Sequence, residues 1–136
     1  MINFETMTTI EAAGFWSGLL ILLLVLLSVR VVLNRRKHKV LFGDGGSEPM
    51  TVATRAFGNA AEYTPLAIGA LILMALTGCA PWSVHAVGGV FFLGRVMHST
   101  GLSYGKGPGM GRVVGMILTW APLLGAAAAL IACPLM

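Results

Sequence analysis

Three polar residues, Arg55, Asn59 and Glu62, stand at the start of a long apolar segment and could together bind a charged ligand. Because an α-helix turns by about 100° per residue, their spacing places them in one stripe, roughly 60° wide, on a single helix face. A guanidinium binds carboxylates in a forked geometry, whereas a carboxylate such as Glu62 can bind an ammonium group. The pattern predicts a polar groove for a peptide-sized ligand that carries both carboxylates and an amine.

Further cationic side chains stand where the other apolar segments begin or end. Arg35 and Arg36 lie at the end of the first segment. Arg95 and His98 stand at positions i and i+3 near the end of the third, and Arg112 begins the fourth. The positive end of a helix dipole favours anions, so Arg112 in a first helical turn predicts an anion site. A guanidinium near a thiol lowers the pKa of that thiol and raises its thiolate fraction.

The composition places these residues in a membrane. Of the 136 residues, 57% are hydrophobic and 10% are charged, whereas about a quarter of a globular chain is charged. A spanning helix needs roughly 20 mostly apolar residues, and four segments fit, at about 14–34, 55–77, 82–99 and 112–134. The sequence therefore predicts an all-α integral membrane protein, a single four-transmembrane-helix bundle over residues 1–136.

The basic residues predict the orientation of this bundle. If the helices alternate in direction, all of them fall at one membrane face: Arg30, Arg35, Arg36, Lys37, Lys39, Arg55, Arg95, Lys106 and Arg112. Short loops rich in Lys and Arg stay cytoplasmic, so both termini are expected on the opposite side. The N-terminal flank carries acidic and no basic residues, which is the wrong charge for a secretory signal, so the first helix is expected to be retained.

The two cysteines, Cys79 and Cys133, lie near the non-cytoplasmic ends of the second and fourth segments. They lack CxxC spacing and a nearby histidine, so no metal site is predicted. Cys79 and Cys133 could form a disulfide if they face an oxidising compartment, but their spacing does not decide this. The other interpretation is that both are small, buried apolar side chains.

The second helix carries a pattern, Arg55-xxx-Asn59-xx-Glu62-Tyr63-x-Pro65, that resembles the signature of the MAPEG family (membrane-associated proteins in eicosanoid and glutathione metabolism). "SVRVVLNRRKHKV" is similar to the end of that family's first helix. "GRVMHSTG" followed by "GKGPGMGR" resembles the third-to-fourth helix region of its prostaglandin E synthase branch, and "LFGDGG" resembles small bacterial members. The resemblance covers all four helices and the basic loops.

The resemblance implies a homotrimer in the lipid bilayer of a bacterial inner membrane, with glutathione as co-substrate bound between neighbouring subunits near the cytosolic face. It implies these glutathione-binding residues: Arg35 from the adjacent subunit, Arg55, Asn59, Glu62, Tyr63 and His98. Arg112 matches the catalytic arginine that stabilises the glutathione thiolate, and Arg36 matches a position near the second, lipophilic substrate.

The chain also departs from active members of that family. Leu102 stands where several of them have a tyrosine, and Val113 and Met116 replace hydroxyl-bearing residues of the prostaglandin branch. Prostaglandin or leukotriene synthesis is therefore not expected. The resemblance implies a glutathione transferase or peroxidase that acts on small lipophilic electrophiles and has no nucleic-acid partner.

The residue types are also compatible with two other functions. Small multidrug-type, proton-coupled transporters use one membrane-embedded glutamate, which must titrate near neutrality. Arg55 lies on the same face as Glu62, which favours a permanently ionised carboxylate instead. The other alternative is a non-catalytic bundle in which Glu62 neutralises Arg55 or Arg112 in an internal network.

Overall fold

A computed structural model describes residues 6–104 and 109–132 as four α-helices with no strand in those two ranges. The helices are α1 Thr9–His38, α2 Glu48–Leu76, α3 Pro81–Tyr104 and α4 Met110–Ala132. The predicted all-α four-helix bundle is confirmed. Helices α1 and α3 extend beyond the expected limits at both ends, and α2 begins at Glu48 rather than at 55 but ends at Leu76, close to the expected 77. The predicted end of the fourth helix, at 134, lies outside the described residues.

Successive helices alternate in direction. Thr9 Oγ1, in the first turn of α1, donates to Cys79 O just beyond the end of α2, at 3.1 Å. The starts of α2 and α4 and the end of α3 meet at the other end of the bundle, around one shared cavity. This second end, where α1 and α3 end and α2 and α4 begin, is the basic end of the bundle.

Helices α2 and α3 are the central pair, since each contacts all the other helices. By length and composition, α1, α2 and α4 could each cross a membrane. Helix α3 does not meet the same criterion among the described residues, because its apolar length is interrupted by residues such as Arg95 and His98. Polar groups in a membrane bundle face the protein interior rather than lipid. The central position of α3 therefore allows it to carry these residues.

The connection between α1 and α2 explains why α2 begins at Glu48 rather than near 55. Asp44 accepts hydrogen bonds from Gly46 N at 3.1 Å and from Thr51 Oγ1 at 2.8 Å, which ties the connection to the first turn of α2. These bonds lower the pKa of the Asp44 carboxyl, the Gly46 bond most strongly. Pro49 stands in that first turn, where its fixed φ favours a helix and no N–H is needed. These polar contacts fix the start of α2, and the buried Met50, Ala53 and Ala56 continue its packed face into the first turns.

At the end opposite to the basic end, the helices enclose an apolar core. Its buried members are Ala12, Ala13, Leu20, Ala67, Leu71, Met74, Val84, Val87, Phe91 and Ala126. Trp16 packs α1 against α3 so closely that a Cβ on Gly88 would lie 2.3 Å from Trp16 Cγ. Trp16 Nε1 donates to His85 Nδ1 at 3.0 Å, which satisfies the indole group. This half of the bundle stabilises the fold, and the polar groups gather in the other half.

Near the basic end, α3 and α4 cross at glycines. A Cβ on Gly115 would lie 2.6 Å from His98 N, and a Cβ on Gly101 would lie 2.9 Å from Arg112 N. Small residues allow two membrane helices to approach to backbone contact. This close approach places His98 of α3 next to Arg112 of α4.

We expect Gly115→Ala to lower the stability of the folded bundle by about 1–3 kcal/mol, because the new methyl group meets backbone that cannot move independently. The matched control is Gly125→Ala on the same helix, where no atom lies within 4 Å of the added Cβ. The control should be neutral or stabilising, since alanine is the better helix former. Thermal unfolding in mild detergent measures both, and equal midpoints would contradict this helix crossing.

Candidate functional site

A cavity of about 400 Å³ opens at the basic end between α2, α3 and α4. We call it the polar cavity, and its lining residues are Thr51, Val52, Thr54, Arg55, Gly58, Asn59, Glu62, His98, Leu102 and Arg112. The cavity thus brings together most of the residues that the sequence assigned to ligand binding. Whether they bind a ligand stays a prediction.

Three helices supply the polar groups of this cavity. Helix α2 contributes Arg55, Asn59 and Glu62 from one face, as the helical spacing predicts. Helix α3 contributes His98, which is buried against α4, and α4 contributes Arg112 from its first turn. The arrangement combines two guanidiniums, one carboxylate, one amide and one imidazole around a space that a small peptide could fill.

The charged side chains of the polar cavity are not paired with one another. Arg55, Glu62 and Arg112 are all exposed in the single subunit. Within residues 6–104 and 109–132, their side chains make no hydrogen bond or ion pair. The internal network that a non-catalytic bundle requires is therefore not formed in the described part of the chain. These charges are available to a ligand or to another subunit.

Tyr63 does not line the polar cavity, although it follows Glu62 in the sequence. Its hydroxyl accepts a hydrogen bond from Trp120 Nε1 at 3.3 Å. Its ring centroid lies 5.4 Å from Cζ of Arg95. Within one subunit, Tyr63 therefore contacts α3 and α4 rather than the cavity, and its predicted contact with glutathione stays a prediction.

Arg35 and Arg36 also lie away from the polar cavity of their own subunit. Arg35 Nη1 donates to Leu41 O at 3.1 Å and to Gly43 O at 3.3 Å, so this side chain holds the α1–α2 connection. Arg36 is exposed in the last turn of α1. Their predicted roles in an adjacent subunit and near the second substrate stay predictions.

Arg95 has a position that the sequence did not reveal. It was expected in the ligand groove, but it lies behind the polar cavity with only 1% of its surface exposed. Its Nη1 donates to Asn59 Oδ1 at 2.7 Å, and its Nη2 contacts Thr119 Oγ1 and Met116 Sδ. A charged residue inside an apolar helix is the signal for such a polar interior. Its partners on α4 could not be identified from spacing.

A second cavity, of about 340 Å³, adjoins the first and is lined mainly by α4. We call it the apolar cavity, and its lining residues are His98, Arg112, Val113, Met116, Ile117 and Trp120. His98 and Arg112 line both cavities, so the two spaces meet at these side chains. A charged ligand and an apolar ligand could therefore be bound side by side, with Arg112 at the junction.

The described residues contain no cluster of three His, Cys, Asp or Glu side chains that could hold a metal ion. Cys79 is half-buried, and its Sγ lies 3.7 Å from Thr77 Oγ1. Cys133 lies outside the described residues. The groups that the structure places at the polar cavity are two arginines, one carboxylate, one amide and one imidazole.

Comparison with known proteins links the chain to one family. The MAPEG family model matches residues 13–132. The chain is also 38% identical over 112 residues to the "Inner membrane protein YecN" of Escherichia coli strain K12. The match covers 82% of this chain and 84% of that protein. The YecN protein of Escherichia coli O6:H1 matches to the same extent. No solved structure gives a significant match.

Because Glu62 and Arg55 lack partners in the described part of the subunit, Glu62→Gln and Arg55→Gln should each change ligand-free stability by less than about 0.5 kcal/mol. Arg95→Ala is the comparison variant. It should cost about 2 kcal/mol or more, because it leaves a cavity and removes the donor to Asn59 Oδ1. Thermal unfolding in detergent without glutathione measures all three. A large loss in Glu62→Gln would show that Glu62 is already paired before any ligand binds, either within the subunit or with a neighbouring subunit.

Proposed function

This chain belongs to the MAPEG family, and we propose that it is a glutathione transferase or peroxidase of small lipophilic electrophiles. The observation that supports the proposal most directly is the pair of adjoining cavities. One carries unpaired charges, the other is apolar, and Arg112 lines both. A polar thiol could be held in the first while an apolar electrophile enters the second from the bilayer.

The charges of the polar cavity complement those of glutathione. Arg55 and Arg112 outnumber Glu62, and the buried Arg95 adds positive charge behind the wall. Glutathione has two carboxylates and one ammonium group, and it gains a further negative charge when its thiol ionises. The cavity therefore favours the thiolate form over the thiol form.

Each charged residue then has a distinct role in the proposed reaction. Arg55 binds a glutathione carboxylate in a forked geometry, and Glu62 binds the ammonium group. Arg112 stands in the first turn of α4, where the helix dipole adds to its charge. Arg112 therefore stabilises the thiolate, and attack on the electrophile takes place where the two cavities meet. The apolar wall formed by Met116 and Ile117 excludes water, which strengthens this electrostatic interaction.

The proposed assembly is a homotrimer in a bacterial inner membrane, with glutathione between neighbouring subunits. The exposure of Arg55, Glu62 and Arg112 supports it, because charges facing lipid are costly. A neighbouring subunit would cover them and supply Arg35, whose hydrogen bonds within the described residues use Nη1 alone and leave its other guanidinium nitrogens for the ligand. Arg36 would lie near the lipophilic substrate. The inner-membrane relatives support the location, and the basic loops support a cytosolic site.

The proposal is tested first by calorimetric titration of the detergent-solubilised protein with glutathione up to millimolar concentrations. Binding is expected, and Glu62→Gln should weaken it about tenfold because an ion pair with the ammonium group is lost. Lys37→Gln, at the exposed end of α1, is the matched charge control and should bind as the wild type does. Absence of binding to the wild type would overturn the proposed function.

The role of Arg112 is tested by conjugation of glutathione to a chlorinated nitrobenzene. Arg112→Gln should lower the rate by about 10²–10³, with a smaller effect on glutathione affinity, because the charge acts on the thiolate. Loss of the cation raises the pKa of the bound thiol. The pH range in which the conjugation rate increases should therefore lie higher for the variant than for the wild type. Ultraviolet absorption of the bound thiolate measures that pKa directly. Unchanged turnover in Arg112→Gln would show that Arg112 does not stabilise the thiolate, whereas absence of turnover in a wild type that binds glutathione would indicate a non-catalytic protein.

A further inference from the structure

The guanidinium of Arg95 is held entirely by neutral groups. Its partners within the described residues are the amide oxygen of Asn59, the hydroxyl of Thr119 and the thioether of Met116. The rings of Tyr63 and Phe91 lie 5.4 Å and 5.9 Å from its Cζ. None of these groups is a carboxylate. A buried cation is stable only when hydrogen bonds and aromatic faces replace its water, so the position of each partner matters.

The contact with Arg95 fixes the orientation of the Asn59 amide. A guanidinium has only donors, so the Asn59 atom at 2.7 Å from Nη1 must be the acceptor oxygen. The NH₂ group therefore faces away from Arg95. Asn59 lines the polar cavity, and its Nδ2 is not among the buried unpartnered atoms of the described residues. Because the oxygen is turned to Arg95, Nδ2 is the amide atom that remains to donate to a ligand in the cavity.

We propose that Arg95 is a positioning residue, which orients the Asn59 amide so that its NH₂ group is a fixed donor to an anionic group of the ligand. This inference rests on the proposed function, because it takes glutathione as the ligand. Without Arg95 the amide could rotate and present its oxygen, which would repel a carboxylate or a thiolate. With Arg95 the donor is oriented before the ligand arrives, and pre-orientation of this kind reduces the entropic cost of binding.

Helix α4 fixes Arg95 in turn. Thr119 Oγ1 donates to Gly115 O at 2.7 Å, so its lone pairs are directed to Arg95 Nη2. Thr119 is fully buried and does not line either cavity. The Nε of Arg95 is buried without a partner among the described residues. Within those residues, Nη1 and Nη2 therefore make all the hydrogen bonds that hold the guanidinium.

Asn59→Asp separates positioning from stability. The carboxylate would pair with Arg95 at the same place, so the thermal midpoint should be equal to that of the wild type or higher. The donor to the ligand is lost, however, so glutathione affinity should fall about tenfold or more. Asn34→Asp is the matched control. It adds the same charge to α1 at the basic end, where Asn34 Nδ2 donates to Arg30 O and Asn34 does not line the polar cavity, and it should bind glutathione normally.

Thr119→Val tests the same arrangement from outside the cavity. Loss of the hydroxyl loosens Arg95, so glutathione affinity should fall severalfold, and Thr119→Ser should restore it. Thr64→Val is the control, because Thr64 is equally buried and makes no hydrogen bond to Arg95.

The outcomes distinguish the two proposals. If the wild type binds glutathione and Asn59→Asp binds it equally well, Arg95 does not position a donor and only this inference is wrong. The same holds if Asn59→Asp loses affinity only because it unfolds, or if Thr119→Ser fails to restore binding. If the wild type binds no glutathione, the proposed function fails, and this inference fails with it.

Discussion

A charged side chain inside a membrane bundle must find a partner, and the structure of this protein depends on how each charge meets that requirement. Arg95 meets it within the subunit, through neutral hydrogen-bond acceptors on α2 and α4 and two aromatic rings. Arg55, Glu62 and Arg112 do not meet it within the described subunit. The first arrangement makes the central helices rigid, and the second leaves charge directed at an open cavity. A bundle selected only for stability would pair these charges with one another.

The crossing of α3 and α4 converts this electrostatic arrangement into a site. Gly101 and Gly115 allow the two backbones to touch, and the contact leaves His98 and Arg112 side by side. Because both residues line the polar and the apolar cavities, the boundary between the two spaces is only one side chain thick. A larger residue at either glycine would separate the helices and widen this boundary. Backbone contact is thus the structural feature that brings the polar and the apolar cavity together.

The sequence predicts those features that depend on local periodicity. Four apolar segments give four helices, and the helical repeat places Arg55, Asn59 and Glu62 on one face. The same repeat turns Tyr63 about 100° from Glu62. Within the subunit its hydroxyl therefore contacts Trp120, whereas the family resemblance implied that Tyr63 contacts the ligand. The early start of α2 was missed because a search for membrane-length apolar segments passes over its first turns, where polar residues surround the buried Met50, Ala53 and Ala56. The partners of Arg95 depend on which helices become neighbours, and spacing along one helix does not contain that information.

The two cavities also bear on the choice of second substrate. Arg36 is exposed at the end of α1 and does not line the apolar cavity of its own subunit. Val113 and Met116 stand where the prostaglandin branch has hydroxyl-bearing residues. The apolar cavity therefore has few hydrogen-bonding groups besides those of His98 and Arg112. A polar substrate would have to give up hydrogen bonds to water without replacement, which costs several kcal/mol per group by order of magnitude. Under the proposed function, size and apolarity rather than specific polar contacts should therefore select the electrophile, and such selection favours a broad range of small lipophilic substrates over one oxygenated lipid.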